Sequence, residues 1–158
     1  MAIPLSDVKG LTTWARRNSI DLAIIGPESA LAAGLADALR GVGIDVLAPG
    51  AAGARLESSK RHAKERLLSL GLPTARCVVA ESPEEAERAA DQLGYPVVLK
   101  ADGLAAGKGV VIAETREAAR EAIDGMMRRR ILGEAGAVLV VEECLRGEEA
   151  SLLVLTDG

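Results

Sequence analysis

The strongest constraint on the fold is a glycine-rich loop held between two short apolar runs. The runs are "YPVVLKA" (residues 95–101) and "VVIAE" (residues 110–114), and "DGLAAGKG" joins them. Short runs rich in Val and Ile that are bounded by turn residues predict strands, so this region predicts a pair of strands connected by a flexible loop. A Walker A loop would instead need a hydroxyl residue after its lysine and would lead into a helix. Here Gly109 follows Lys108 and a strand comes next.

The loop nevertheless has the chemistry of a phosphate site. Glycines allow backbone N–H groups to approach phosphate oxygens closely, and Lys108 adds positive charge. Lys100 ends the incoming strand, where its side chain points to one fixed face. Taken alone, the loop is also compatible with a plain hairpin whose lysines are solvated, and for an isolated glycine loop that interpretation is the favoured one.

Composition excludes several classes of partner. The 158 residues include no Phe, one Trp and one Tyr, so stacking of nucleic-acid bases on aromatic rings is nearly unavailable. The net charge of −4 and the pI of about 5.1 argue against a surface that binds polyanions. We therefore predict no nucleic-acid partner, and any phosphate site must depend on local charge.

The cysteines and the termini indicate a cytoplasmic protein. Cys77 and Cys144 are far apart and the chain has one His, so the sequence predicts no zinc site. No apolar stretch has the length of a transmembrane helix, and the first ten residues lack the pattern of a signal peptide. We predict a soluble cytoplasmic protein with no membrane partner.

The first third of the chain alternates helix and strand patterns. Residues 6–19 and 28–43 have the apolar spacing of helices, while residues 21–27 and 44–49 are short apolar runs typical of buried parallel strands. This order predicts a parallel sheet covered by helices.

The middle of the chain predicts a connector followed by two helices. Residues 50–53 are small and suggest a linker, and residues 56–71 predict a helix that leads into an extended segment over 72–80. Residues 82–94 have a complete helix signature: Ser82 as N-cap, proline at the first position, a glutamate three residues after the cap, and a terminal glycine.

The last part predicts a small α+β unit. A helix over 115–127 follows the two strands, and apolar runs over 137–145 and 150–158 predict two further strands.

Several motifs together resemble one enzyme family. In order they are "GPES", "LESSKRHAKERL", "GLPTARC", "YPVVLKADGLAAGKGVVIAET", "LGEAG" and "VVEECLRGEEASLLVLTDG". This set resembles the ATP-grasp superfamily and, within it, the phosphoribosylamine–glycine ligase family, and the resemblance covers nearly the whole chain. It implies an α/β plus α+β fold, with a partial doubly wound N-terminal domain followed by the ATP-grasp small (flap) subdomain.

The resemblance also implies a segmentation and a set of nucleotide-binding residues. We expect residues 1–53 to form the partial N-terminal domain, 54–80 a connecting helix and the start of the ATP-grasp core, 81–145 the flap subdomain, and 146–158 the hinge and return into the core. By resemblance, the phosphates of ATP are contacted by Lys64 and Lys100, and the flap is formed by Gly103, Gly107, Lys108 and Gly109. The adenine hinge is formed by Glu142, Glu143, Cys144 and Leu145, and the ribose is bound by Glu149.

The resemblance implies a reaction as well. Members of the family join glycine to 5-phosphoribosylamine in purine biosynthesis, with ATP driving the reaction through a glycyl phosphate, so ATP, glycine and phosphoribosylamine are the expected partners. The cofactors are ATP and Mg²⁺, and we expect the metal ligands in a C-terminal part of the family's sequence that is absent here. Two alternatives stay open: an inactive nucleotide-binding or interaction module that associates with itself or a partner, and another ATP-grasp carboxylate–amine ligase.

Overall fold

The computed structural model describes residues 2–105 and 107–156 of the chain. The helices are α1 (Val8–Arg17), α2 (Glu28–Ala32), α3 (Leu35–Arg40), α4 (Ala51–Ser58), α5 (Lys60–Ser69), α6 (Pro83–Leu93) and α7 (Arg116–Ile123). The strands are β1 (Leu22–Ile24), β2 (Asp45–Leu47), β3 (Cys77–Ala80), β4 (Val97–Ala101), β5 (Val110–Ala113) and β6 (Leu139–Glu143).

The N-terminal region contains a two-stranded parallel sheet, as the alternation of helix and strand patterns predicted. β1 and β2 pair in register, with Ala23 opposite Val46. The helices α1 and α3 pack against them around Leu35, Leu39 and Ile44, which are all nearly inaccessible to solvent. The α/β part of the predicted fold is therefore present.

The predicted single helix over 28–43 is wrong, because the structure divides it into α2 and α3. Gly34 lies at the break with φ of +85°, a left-handed conformation that costs every residue with a Cβ more than it costs glycine. Glycine at this position thus marks a change of direction that the apolar spacing alone does not reveal.

Two further boundaries also differ from the prediction. The predicted connector 50–53 is the start of α4, whose Ala51 N–H donates to the carboxylate of Asp37 at 2.8 Å. The predicted helix 56–71 is divided at Ser59, which takes an extended conformation and caps α5 by accepting a hydrogen bond from the N–H of His62. Ser59 therefore acts as an N-cap, the role that serine prefers.

The rest of the chain is built on a four-stranded antiparallel sheet in the order β3-β6-β4-β5. The glycine-rich loop joins β4 to β5, so the predicted strand–loop–strand unit is confirmed. The helices α6 and α7 cover one face around the buried residues Val97, Leu99 and Ile123. Because side chains alternate along a strand, Lys100 lies on the opposite face, where α5 packs.

The helix α6 begins as its sequence signature predicted. Ser82 accepts a hydrogen bond from the N–H of Glu85 at 3.2 Å, and the helix ends at Gly94 with φ of +83°. The side chain of Glu85 accepts from the N–H of Glu81 instead of closing the capping box on Ser82.

The predicted strand over 150–158 is wrong where the structure describes it. Residues 150–156 have no regular structure, and the side chains of Leu152 and Leu153 are 89% and 90% exposed. A strand is defined by ladder hydrogen bonds to a neighbouring strand, and the structure assigns none of residues 150–156 to a sheet. Residues 157 and 158 lie outside the described residues.

No helix in the described ranges combines the length and the apolar character needed to cross a bilayer. The predicted segment limits at residues 53, 80 and 145 stay predictions. The pairing of β3 with β6 links Cys77–Ala80 to the sheet of the predicted flap subdomain.

Candidate functional site

Two lysines meet one carboxylate on the face of the sheet that α5 covers. Glu142 Oε2 lies 3.0 Å from Lys100 Nζ and 3.2 Å from Lys64 Nζ. Glu142 lies on β6, Lys100 on β4 and Lys64 on α5. Lys100 and Glu142 are more than forty positions apart in the sequence. The structure thus brings together three of the predicted site residues.

The two lysines differ in how firmly they are held. Lys64 is 8% exposed, and its ammonium also donates to Thr74 Oγ1 at 2.6 Å and to the carbonyl of Ala75 at 3.2 Å. Its three N–H donors are therefore all used. The side chain of Lys100 is 30% exposed and, among the described residues, its ammonium bonds to Glu142 alone, so Lys100 is the lysine of the pair that retains N–H donors.

The cluster leaves an excess of one positive charge in a protein of net charge −4. Lys64, Lys100 and Glu142 line a cavity of about 200 Å³ together with a third ammonium group, that of Lys60, and apolar side chains. Partial burial lowers the effective dielectric constant, so this excess charge attracts an anion more strongly than a surface lysine does. The remaining lining residues are Ala63, Leu67 and Val110.

Each predicted glycine of the loop has a structural reason to be glycine. A Cβ on Gly103 would lie 2.9 Å from Ala135, and a Cβ on Gly109 would lie 2.8 Å from the Cβ of Ala105. Gly107 has φ of +78°. The side chain of Lys108 is exposed and has no partner among the described residues, while its N–H donates to the carbonyl of Ala105 at 2.9 Å.

Lys60 belongs to the candidate site, although the sequence analysis did not single it out. It lines the cavity of the cluster and also a larger groove of about 630 Å³ between the glycine loop and the N-terminal region. Its Nζ lies 3.4 Å from the carbonyl oxygen of Gly103. Its position four residues before Lys64 is the signal that could have found it, because residues i and i+4 share a helix face. Acidic residues Glu28 and Glu57 line the groove as well.

Asp102 is the second residue that the prediction missed, and it joins the loop to α5. Its carboxylate accepts from the N–H of Arg61 at 2.7 Å and from the hydroxyl of Ser59 at 3.1 Å. Its carbonyl accepts from the N–H of Lys60 at 3.2 Å. The start of the glycine loop is therefore held at the N-terminus of the helix that carries Lys60 and Lys64, where a carboxylate is favoured by the helix dipole.

The predicted hinge begins where β6 ends. The carboxylate of Glu143 accepts from the backbone N–H of Arg76 at 2.8 Å and from its Nε at 2.7 Å. These bonds lower the pKa of Glu143, with the backbone N–H of Arg76 as the largest cause. Cys144 is half-buried and Leu145 is 68% exposed, so the chain leaves the sheet directly after this contact.

Glu149 stays apart from the other predicted residues. It is exposed, it lies in the segment without regular structure, and in the part of the chain that the structure describes it contacts no residue of the lysine cluster. Its predicted role at a ribose stays a prediction.

The residues present do not form a metal site. No group of three or more His, Cys, Asp and Glu side chains that could hold a metal ion occurs within residues 2–105 and 107–156. We therefore assign no step of chemistry to a metal held by these residues, and the predicted use of Mg²⁺ stays a prediction.

Two family models match the chain from end to end. The N domain of phosphoribosylglycinamide synthetase matches residues 1–57, and the ATP-grasp (A) domain of the same enzyme matches residues 58–158. A phosphoribosylamine–glycine ligase from Ralstonia nicotianae is 46% identical over 156 residues, which is 99% of this chain and 37% of the relative. The chain thus spans little more than a third of the length of that relative.

Two solved structures have a fold similar to that of this chain. A phosphoribosylamine–glycine ligase from Thermotoga maritima is 39% identical, with a TM-score of 0.57 over 66% of this chain and 27% of that one. The biotin carboxylase domain of a 2-oxoglutarate carboxylase from Hydrogenobacter thermophilus, solved with MgADP, has a TM-score of 0.72 at 23% identity, over 90% of this chain and 33% of that one. At that identity the second likeness shows the fold alone.

Proposed function

Since this chain belongs to the phosphoribosylglycinamide synthetase family, we propose that it forms the ATP-binding portion of a ligase that joins glycine to 5-phosphoribosylamine. The single observation that carries the proposal is the cluster of Lys64, Lys100 and Glu142, which presents one half-exposed ammonium and an excess positive charge to a cavity beside the glycine loop. The predicted cytoplasmic location is part of the proposal, and the unpaired state of Cys77 and Cys144 is compatible with it.

The three charged residues have different tasks in this proposal. The ammonium of Lys100 exchanges bound water for a phosphate oxygen. The resulting charge-assisted hydrogen bond is stronger than a hydrogen bond between neutral groups. Lys64 stays bonded to Thr74 and Ala75 and contributes positive potential. Glu142 keeps the two ammonium groups at a short separation without a ligand, since unopposed like charges would repel each other.

The glycine loop lines the larger groove, which shares Lys60 and Val110 with the cavity of the cluster. Gly107 and Gly109 line the larger groove, and Lys108 adds a side chain that is exposed and without a partner in the described region. Backbone N–H groups of glycine-rich turns bind phosphate oxygens because no Cβ prevents the approach. Glu142 to Leu145 would receive the base, and Glu149 the ribose hydroxyls.

In the whole ligase the proposed reaction has two steps. A carboxylate oxygen of glycine attacks the γ-phosphorus of ATP and ADP leaves, which gives glycyl phosphate. The amine of phosphoribosylamine then attacks the acyl carbon, inorganic phosphate leaves, and the amine loses a proton. We assign to this chain the binding of the nucleotide, because the described residues hold no metal site and phosphoryl transfer depends on metal ions and positioning.

Calorimetric titration of the chain with ATP in a magnesium buffer tests the proposal. We expect binding by the wild-type chain, and Lys100→Ala should weaken it by about ten- to a hundredfold, since a hydrogen bond to a charged group is lost. Lys9→Ala is the matched control, because Lys9 is an exposed lysine on α1, outside the cluster. A folded wild-type chain that does not bind ATP, or a Lys100→Ala variant that binds as tightly as wild type, would contradict the proposal.

A further inference from the structure

The exposed Arg76 makes a closed set of contacts with Glu143, the last residue of β6. The backbone N–H and the Nε of Arg76 each donate to one oxygen of the Glu143 carboxylate, at 2.8 and 2.7 Å. In return, the backbone N–H of Glu143 donates to the carbonyl of Arg76 at 3.0 Å. We name this set of three bonds the Arg76–Glu143 clasp.

The clasp determines where the chain leaves the sheet. β6 is held on one side by β4, where Val97 is opposite Glu143, and on the other by β3, whose pairing ends with Cys77 opposite Glu142. Arg76 extends the contact with β3 by one residue beyond that pair. Glu143 is thus fixed by its side chain and its backbone together, immediately before Cys144 and Leu145, which lie outside β6.

The clasp also decides which atoms of the hinge are available to a ligand. Each carboxylate oxygen of Glu143 accepts one hydrogen bond from Arg76, and these bonds lower the pKa of Glu143, which favours its ionised form. A base at the hinge therefore meets the backbone of residues 143–145, whose donor and acceptor positions depend on the direction in which β6 ends.

We propose that Arg76 is a positioning residue for the nucleobase: through the Arg76–Glu143 clasp it orients the backbone of the hinge that receives adenine. The inference rests on the proposed function of the same site. It assigns Arg76 no contact with the phosphates, because the clasp lies at the end of β6 and the phosphate donors lie on α5, β4 and the glycine loop.

A comparison of two ligands tests this assignment. ATP has a base and a triphosphate, whereas inorganic tripolyphosphate has the phosphates alone. Because Arg76 is 71% exposed and a surface ion pair is weak, we expect Arg76→Ala to weaken ATP binding by about two- to fivefold. Tripolyphosphate binding should change no more in Arg76→Ala than in Arg88→Ala. The Arg88 variant is a control that removes an exposed arginine from α6, which covers the face of the sheet opposite to the lysine cluster.

Two further variants separate positioning from charge. Arg76→Lys keeps the charge and the backbone bonds but loses the Nε donor, so we expect a loss of ATP affinity between wild type and Arg76→Ala. Glu143→Gln should also weaken ATP and leave tripolyphosphate binding unchanged. Thermal unfolding followed by circular dichroism confirms that each variant is folded at the temperature of the titration.

The outcomes distinguish this inference from the proposed function. If wild type binds both ligands and Arg76→Ala binds ATP as tightly as wild type, or loses both ligands equally, the positioning role is wrong and the phosphate site stands. If folded wild type binds neither ligand, the proposed function fails and the role of Arg76 fails with it.

Discussion

Lys100 and Glu142 are joined by an ion pair of 3.0 Å across two adjacent antiparallel strands, on the face of the sheet that α5 partly covers. In the register of β4 and β6, Lys100 is opposite Val140 and Val98 is opposite Glu142. Residues opposite each other, or two apart on one strand, share a face, so the side chains of Lys100 and Glu142 lie on the same face. Glu142 is 4% exposed, so its charge depends on the two lysines for compensation.

Removing that carboxylate charge should destabilise the fold. Glu142→Gln leaves the buried ammonium of Lys64 beside Lys100 without a counter-charge, and we expect the free energy of unfolding to fall by about 2–4 kcal/mol. Urea unfolding followed by circular dichroism measures the change. Glu134→Gln is the control: Glu134 pairs with Arg130 but its side chain is 89% exposed, so it should cost less than about 1 kcal/mol. Equal losses in the two variants would mean that the cluster is solvated.

Asp102 should contribute more to stability than an ordinary helix cap. Asp102→Ala removes the acceptor of the Arg61 N–H and the Ser59 hydroxyl, and we expect a loss of about 2 kcal/mol in urea unfolding. Asp102→Asn keeps an acceptor oxygen and should lose less than half as much. Asp7→Ala, which removes the exposed cap of α1, should lose about 1 kcal/mol or less. A loss from Asp102→Ala no larger than that from Asp7→Ala would show that the loop is not anchored there.

The single tyrosine offers a direct test of the packing beside α6. Burial and the hydrogen bond to Asp91 together raise the pKa of Tyr95 to about 12, with burial as the larger cause. The folded state thus holds the phenol proton more tightly than the unfolded chain, whose tyrosine has a pKa near 10. The resulting stability is present below about pH 10 and is lost as the pH rises toward about 12. Phenolate absorbance should show a midpoint near 12 in the native protein and near 10 in denaturant. Asp91→Asn should lower the native midpoint, and a native midpoint equal to that in denaturant would contradict the burial of the hydroxyl.

Gly34 should be the costly glycine of the N-terminal region. Gly34→Ala places a Cβ in the left-handed region at φ of +85°, and we expect a loss of about 1–2 kcal/mol, measured by thermal or urea unfolding. Gly26→Ala is the matched control, since neither a positive φ nor a close contact restricts that position. If both substitutions change stability equally, the break between α2 and α3 is not held by Gly34.

Local signals in the sequence were sufficient for several elements. The N-cap of Ser82 and the final Gly94 located α6, and the short apolar runs on either side of the glycine loop located β4 and β5. These signals work because capping residues, apolar runs and the turn residues that bound them are close in sequence.

Other boundaries depended on features that periodicity does not measure. Ser59 interrupts a continuous helical pattern because Asp102, which is distant in sequence, supplies acceptors at the start of α5. The C-terminal apolar run predicts a strand by composition, yet residues 150–156 have no regular structure. Pairing in a sheet and capping by a distant residue are non-local, so a local pattern does not determine them.

The sequence by itself determined the family, the strand–loop–strand unit and the identities of Lys64, Lys100 and the glycines, because these are carried by motifs and by residue type. Only the tertiary structure decided that Lys64 has all its N–H donors bonded while Lys100 is partly exposed, that Lys60 lines the same cavity, that Asp102 anchors the glycine loop to α5, and that Arg76 binds Glu143. Burial and hydrogen-bond partners arise from strand register and helix packing between residues far apart in the chain, and no local pattern encodes them.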